Sequence, residues 1–462
     1  MIPIWKRIFI AAAIVGGLSA MPFAAAAQHG RLPLTYSAYV LQQQEAEEDT
    51  ATPAGPALGL PDTGEAEKIN DPEPTEPTLL PEDAQEAADE LDADAADTDQ
   101  PSVEPDAEQS EAPKLEPKPE PVPELSPEMV ALRDRVRQVL AYHHRYALST
   151  ASNTATEVMH ACLAFGCQAE VSRGGSSRER LNAVTCLCWN FPCAGYEPLT
   201  LSKGHLAGRI GYGFQQRPSQ LLAVLALARA PADYPARVGD DVRDIADLVE
   251  YEKLTCRADT DLSLKLIGLS FYVSEKSSWE NDLGETWSLS RIVEEELDRP
   301  VLGAPYGGTL RLLGLSHAVE QLQALEQPLD GQYLRAKRFV EEFQDYAMKL
   351  QNSDGSWGPG YLARRSAGRT TTEQVDGTGR VLEWLVLSLP EERLEDPAIV
   401  KSIDLLARLL GSRQYSGGLS GHETEDICSA MHAMHALMLY DDRYFKPRTP
   451  EPEPEEGQES PK

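Results

Sequence analysis

The sequence predicts an all-α protein, a double-layered helical barrel of about five to six helical hairpins, preceded by a disordered acidic linker. Three observations carry this expectation. From Ser126 onward apolar residues recur at helical spacing, while strand signals are scarce and only Val184 to Trp189 reads as extended. Amphipathic segments near 128–147, 242–253, 288–298, 332–351 and 396–411 alternate with more apolar ones beginning near Asn153, Pro218, Asp261, Gly307, Val375 and Asp426. The stretch Val381 to Leu389 is apolar on nearly every side, with only Glu383 and Ser388 polar, and such a helix belongs in the interior. Buried inner helices wrapped by amphipathic outer ones make two layers; an open solenoid is the architectural alternative.

The elements follow in order. Residues 1–27 read as a signal peptide: Lys6 and Arg7 form the charged start, Ile8 to Leu18 the apolar run, and Ala25, Ala26 and Ala27 the small residues before cleavage ahead of Gln28. An uncleaved anchor, and with it a membrane tether, is the competing reading of the same run. The implied location is exported: periplasmic, cell-envelope associated or secreted.

Residues 28–125 are a linker whose composition cannot bury enough apolar surface to offset chain entropy. Of the net charge of −32, the stretch Glu45 to Glu124 carries 26 acidic against 3 basic side chains. Pro117, Pro119, Pro121 and Pro123 stiffen its end toward polyproline II. The folded domain spans 126–448, opening with Ser126 as a cap and Pro127 at the first helical position. Residues 449–462 form a second acidic tail. No clustered positive field is present to neutralise phosphates, which excludes nucleic acid as the default partner.

In the fifth hairpin Tyr346, Gln351, Asp354, Gly355, Ser356 and Trp357 stand as YAMKLQNSDGSWG. This segment resembles the QW repeat of squalene cyclases and the related turn of protein prenyltransferases, with Ala347 where a branched aliphatic residue is usual. Gln414, Gly418 and Ser420 in QYSGGLS are similar to a decayed second copy. The resemblance implies the terpenoid cyclase and prenyltransferase α/α-toroid superfamily, and within it a divergent exported member. Gln and Trp in such a repeat join adjacent hairpins, and Gly permits the tight turn.

The resemblance also implies chemistry that the residues carry unevenly. The D-x-D-D acid of squalene-type cyclases is absent between Ser126 and Arg448. Asp240, Asp241 and Asp244 spell D-D-x-x-D, but at a helix start, where capping explains them. Prenyltransferases hold zinc with an Asp-x-Cys pair and a later His. Here Asp426-Ile427-Cys428 precedes His432 and His435, and Cys428, His432 and His435 fall within about 60° on one helix face, a candidate zinc set. No later hairpin supplies the family's His, and packed histidines are the competing reading.

Glu383 is the sharpest single position, a carboxylate among apolar neighbours. Unpaired, it would titrate high and act as an acid; paired, its partner would be an arginine such as Arg380 or one from a neighbouring hairpin. His317 lies on the stripe of Leu310, Leu313 and Gly314, with Arg311 and Tyr306 near the same helix start. His317, Tyr306 and Arg311 match the residue types of polysaccharide lyases built on α/α toroids, while a satisfied core histidine is the alternative. His205 falls in an unassigned loop. Five of the seven cysteines lie between Cys162 and Cys193, and export favours one or two disulfides there.

Together these readings predict an exported toroidal binding or scaffold module with an apolar central cavity for a small-molecule, lipid, peptide or glycan ligand. The alternatives are a lyase-like glycan-active enzyme and a divergent zinc-dependent transferase on the same toroid.

Overall fold

A computed structural model describes residues 125–174, 179–419 and 421–445, all within the unit Pro72–Lys462. The signal peptide, the linker up to residue 124, the acidic tail and Ser420 lie outside the described residues.

Twelve α-helices appear among them. Helices α2 (Ala155–Phe165), α4 (Gln220–Leu227), α6 (Ser263–Tyr272), α8 (Thr309–Ala324), α10 (Thr371–Ser388) and α12 (Thr424–Tyr440) are buried along most of their length. In α10 every residue from Gly377 to Leu387 is buried. Helices α1 (Pro127–Arg145), α5 (Ile245–Leu254), α7 (Leu289–Leu297), α9 (Gly331–Leu350) and α11 (Pro397–Leu410) each bury one stripe and expose the other face. The expected alternation therefore holds. The buried helices pack in the order α2, α4, α6, α8, α10 and α12, and α12 packs on α2. Each of α7, α9 and α11 lies across the two buried helices that flank it in sequence.

Local chemistry sets the helix starts. Ser126 Oγ accepts from the Met129 amide at 3.3 Å with Pro127 at the first position, as expected. Thr154 and Glu157 form a capping box on α2. Asp244 caps α5, so the capping reading holds for one of the three aspartates. Asp240 and Asp241 instead belong to a hairpin, because the chain from 235 is extended: β6 (Pro235–Val238) pairs antiparallel with β7 (Asp241–Asp244).

Strands are more frequent than the sequence suggested, and the extended reading of Val184 to Trp189 is corrected. Ala183–Cys188 is helix α3, started by Asn182 Oδ1 accepting from the Thr185 amide. The strands fall elsewhere. β1 (Leu148–Ser149) pairs parallel with β2 (Glu170–Ser172), which pairs antiparallel with β3 (Arg180–Asn182). β4 (Leu199–Ser202) with β5 (His205–Gly208), and β8 (Ser278–Glu280) with β9 (Thr286–Ser288), are hairpins. None exceeds four residues, too short for a period-two pattern to stand out. Between α2 and α4 the chain carries β2 to β5 with the short helix α3 in place of a long amphipathic helix.

The expected disulfides are not formed: all seven cysteines are free thiols. Cys162, Cys186, Cys188 and Cys193 are buried in the packing of α2 and α3, while Cys167 is exposed. Burial among one another pushes the Cys188 thiol up to about 12. Among the described residues no helix is long and apolar enough to cross a membrane.

The Gln and Trp of the fifth hairpin join neighbours. Gln351 Nε2 donates to the Ala398 carbonyl at 2.9 Å and to Ser402 Oγ at 2.7 Å, both on α11. Trp357, 1% exposed, donates from Nε1 to the Ala347 carbonyl of α9, and its backbone amide donates to Thr378 Oγ1 on α10. Gln414 reaches only an exposed partner, Thr372 Oγ1. Three substitutions separate these roles by urea unfolding. Trp357→Ala is expected to cost about 3–5 kcal/mol and Gln351→Ala about 1–3 kcal/mol. Gln414→Ala should stay within about 0.5 kcal/mol.

Candidate functional site

The site begins with a close helix crossing. A Cβ built on Gly379 of α10 would lie 2.9 Å from the Cα and Cβ of Ala433 on α12, so only glycine opposite a small residue permits this approach. One turn further along α10, Glu383 meets α12. His432 Nδ1–H donates to Glu383 Oε2 and His435 Nδ1–H donates to Oε1, each at 2.6 Å. Glu383 is 2% exposed and the histidines are nearly as buried.

Neither sequence reading of Glu383 holds. It is not unpaired, and its partner is not Arg380. Burial alone would raise its pKa, but the His432 charge, present when that ring is protonated, and the hydrogen bonds from His432 and His435 outweigh it and hold the carboxyl well below the usual range. His432 is pushed down, first by burial and then by the Arg380 charge, against the pull of Glu383. The resting pair is therefore an ionised carboxylate beside a neutral imidazole.

Arg380 is held one turn earlier on its own helix, donating from Nε to Asp376 Oδ1 at 2.8 Å. Asp376 also accepts from Ser429 Oγ at 2.7 Å and from the Tyr361 hydroxyl. The guanidinium carbon of Arg380 stands 3.9 Å from the centre of the Tyr306 ring, and that of Arg217 stands 5.3 Å from it. Tyr306 reaches this position with φ +54° in the turn before α8.

These groups face one cavity of about 60 Å³ between the buried helices. His160, Arg217, Tyr306, Arg380, Glu383 and His432 line it together with Leu163, Val224, Leu227, Ile267 and Leu313. The cavity is mostly apolar, as expected from the sequence, but α10 and α12 add charged and imidazole side chains to its lining.

The other predicted residues have separate destinations. Cys428 turns to α2, with Sγ 3.4 Å from His160 Nδ1, and burial pushes its thiol up to about 12. Cys428, His432 and His435 share a helix face but not a common ligand point: the thiol meets α2 and both imidazoles meet α10. Among the described residues no group of three or more His, Cys, Asp and Glu side chains is arranged to hold a metal ion.

His317 is a core histidine whose Nδ1 lies 3.2 Å from Ser270 Oγ of α6. Arg311 is ion-paired with Glu296 of α7 at 3.1 Å. The set His317, Tyr306 and Arg311 is therefore divided among three partners. His205 opens β5 and bonds Asp247 of α5 at 2.7 Å, away from the cavity wall.

His160 and Arg217 were missed. The signal for His160 was in the sequence, as the single imidazole in the apolar run ATEVMHACLAF. Arg217 sits just before α4, where nothing local marks it. Comparison with known proteins finds no match: no family model, no curated protein and no solved structure is similar to the chain.

The buried histidines set a pH dependence. Burial lowers His160, helped by His432, to about 3, and lowers His317 to about 4. Both lie below the roughly 6.5 of an unfolded histidine, so the unfolded chain binds protons that the folded one refuses. This stability is complete above about pH 6.5 and falls by about 1.4 kcal/mol per pH unit for each histidine as pH drops toward 4. Glu320, raised by burial to about 7, acts in the opposite sense between pH 4.5 and 7. Burial also lowers His143 and His432, so the lowered histidines outweigh the one raised carboxylate and the urea midpoint should fall between pH 6.5 and 4.5. The double variant His160→Gln, His317→Gln should make that slope shallower.

Proposed function

We propose that the chain is an exported α/α toroid of six hairpins whose central cavity binds a small molecule with an anionic head and a short apolar body. The return of the packing order from α12 to α2 supports closure of the inner layer. The Gln351 and Trp357 ties support the resemblance to the terpenoid cyclase and prenyltransferase superfamily. Export rests on the charged start, apolar run and alanines of residues 1–27.

One observation carries the binding reading. Arg380 is 9% exposed, makes its hydrogen bond through Nε, and lines the cavity along with leucine and valine side chains. Its Nη donors remain for a ligand, and a guanidinium fork matches a carboxylate. Cavity size sets the scale: about 60 Å³ suits a small ligand rather than a sugar chain. With His317 and Arg311 engaged elsewhere, this weighs against the glycan reading.

The test uses full-length protein and two probes of equal chain length. Butanoate is expected to bind at least tenfold more tightly than butan-1-ol by calorimetry or saturation-transfer NMR, the value of one charge-assisted contact. Arg380→Gln should erase the difference. Equal binding of the alcohol, or an unaltered difference in the variant, would sink the reading.

A further inference from the structure

We propose that the cavity also catalyses proton transfer, with His432 as general base toward a small 2-oxo acid held by Arg380; this rests on the binding reading above. The geometry supplies each part. His432 donates from Nδ1 to Glu383, so its ring presents the lone pair of Nε2, and among the described residues no hydrogen bond engages that nitrogen. Glu383 cannot swing away, because its second oxygen is held by His435. His432, Arg380 and Tyr306 line the same cavity. A carboxylate that fixes an imidazole's tautomer and stabilises the imidazolium formed from it is the arrangement general-base chemistry requires.

The substrate class follows from what the wall contains. Arg380 selects a carboxylate with an adjacent carbonyl oxygen. The cavity is small enough to suit a molecule of pyruvate's size, and in this pose the methyl group faces His432 Nε2. The base must then act on a C–H made acidic by the neighbouring carbonyl. In the step, the C3–H bond breaks and its proton goes to His432 Nε2. The bonding pair becomes the C=C of an enolate, and the carbonyl π pair moves onto oxygen, beside the Arg380 guanidinium. Return of a proton from Nε2 to C3 restores the ketone. Nothing is oxidised or reduced, and no co-reactant is consumed.

Charged and titratable neighbours of His432 come from two other elements: His160 of α2, with ring centres 5.3 Å apart, and Asp376, Arg380 and Glu383 of α10. Cys428 and His435 share its own helix. Glu383 is a positioning residue, acting through His432.

The experiment incubates the full-length protein with pyruvate in D₂O. It follows loss of the methyl proton signal by NMR, while saturation transfer measures binding in the same tube. Exchange at least 10²-fold above protein-free buffer is expected. His432→Gln should bring it to background with pyruvate still bound. Glu383→Gln should slow exchange and move the acid limb of the pH–rate profile downward, since the lost carboxylate no longer raises His432. Pyruvate bound without exchange by the unaltered protein overturns the catalytic assignment and leaves the binding reading intact. Absence of pyruvate binding overturns both, and undiminished exchange in His432→Gln overturns the role of that residue.

Discussion

Glu383 is an ionised carboxylate in the interior of a helical protein, and the inner layer is arranged around that fact. Removing a carboxylate from water costs several kcal/mol unless hydrogen bonds replace the lost hydration. Two imidazole N–H groups at 2.6 Å do so, and they reach it only because α10 and α12 approach to the distance set by Gly379 and Ala433. A larger side chain at either position would part the helices and strand the charge. The close helix crossing at Gly379 and the buried charge of Glu383 are therefore one constraint.

Similar polar ties register the other buried helices, which would otherwise slide as featureless apolar rods. Ser316 Oγ of α8 accepts from Trp384 Nε1 of α10, and Ser270 of α6 meets His317 of α8. Glu157 of α2 takes the Thr424 hydroxyl at the start of α12. Between layers the device changes along the chain. In the earlier hairpins it is a buried outer-helix carboxylate: Glu252 receives Ser219 and Lys265, and Glu296 receives the Leu262 amide, Ser263 and Arg311. In the later hairpins it is neutral, with Gln344 donating to Ser388 and Gln351 to α11. This explains why a Gln and Trp signature is readable only near the fifth hairpin: the earlier ones solve the same problem with ion pairs.

Helix layering was legible because it is a local property. Gly331–Leu350 and Pro397–Leu410 fall within a residue of the segments the periodicity marks. Where a hairpin of four-residue strands precedes α5, the same reasoning began the helix too early, at Val242 rather than Ile245. The site was half legible for the same reason. Burial of Glu383, and the shared face of Cys428, His432 and His435, follow from helical spacing alone. Their partners do not, since Glu383 and its histidines are 49 and 52 positions apart, and the face that looked like one ligand set meets two helices, α2 and α10. Spacing along one helix reports direction; only the packing of its neighbours reports destination.

The electrostatics of the cavity bear on what the proposed site favours. Arg380 with Asp376, and Arg217 with Asp261, are opposite charges in contact, which leaves the charge of Glu383 without a full countercharge while His432 is neutral. That charge opposes an anion entering the cavity. Once a proton passes from the ligand to His432, the carboxylate faces an imidazolium, and the new negative charge lies on an oxygen beside Arg380. Both changes are favourable in a medium of low polarity, where fixed charges act strongly. The arrangement is thus better matched to the proton-transferred state than to the bound ground state, which is the condition under which binding groups accelerate a reaction rather than merely retain a ligand.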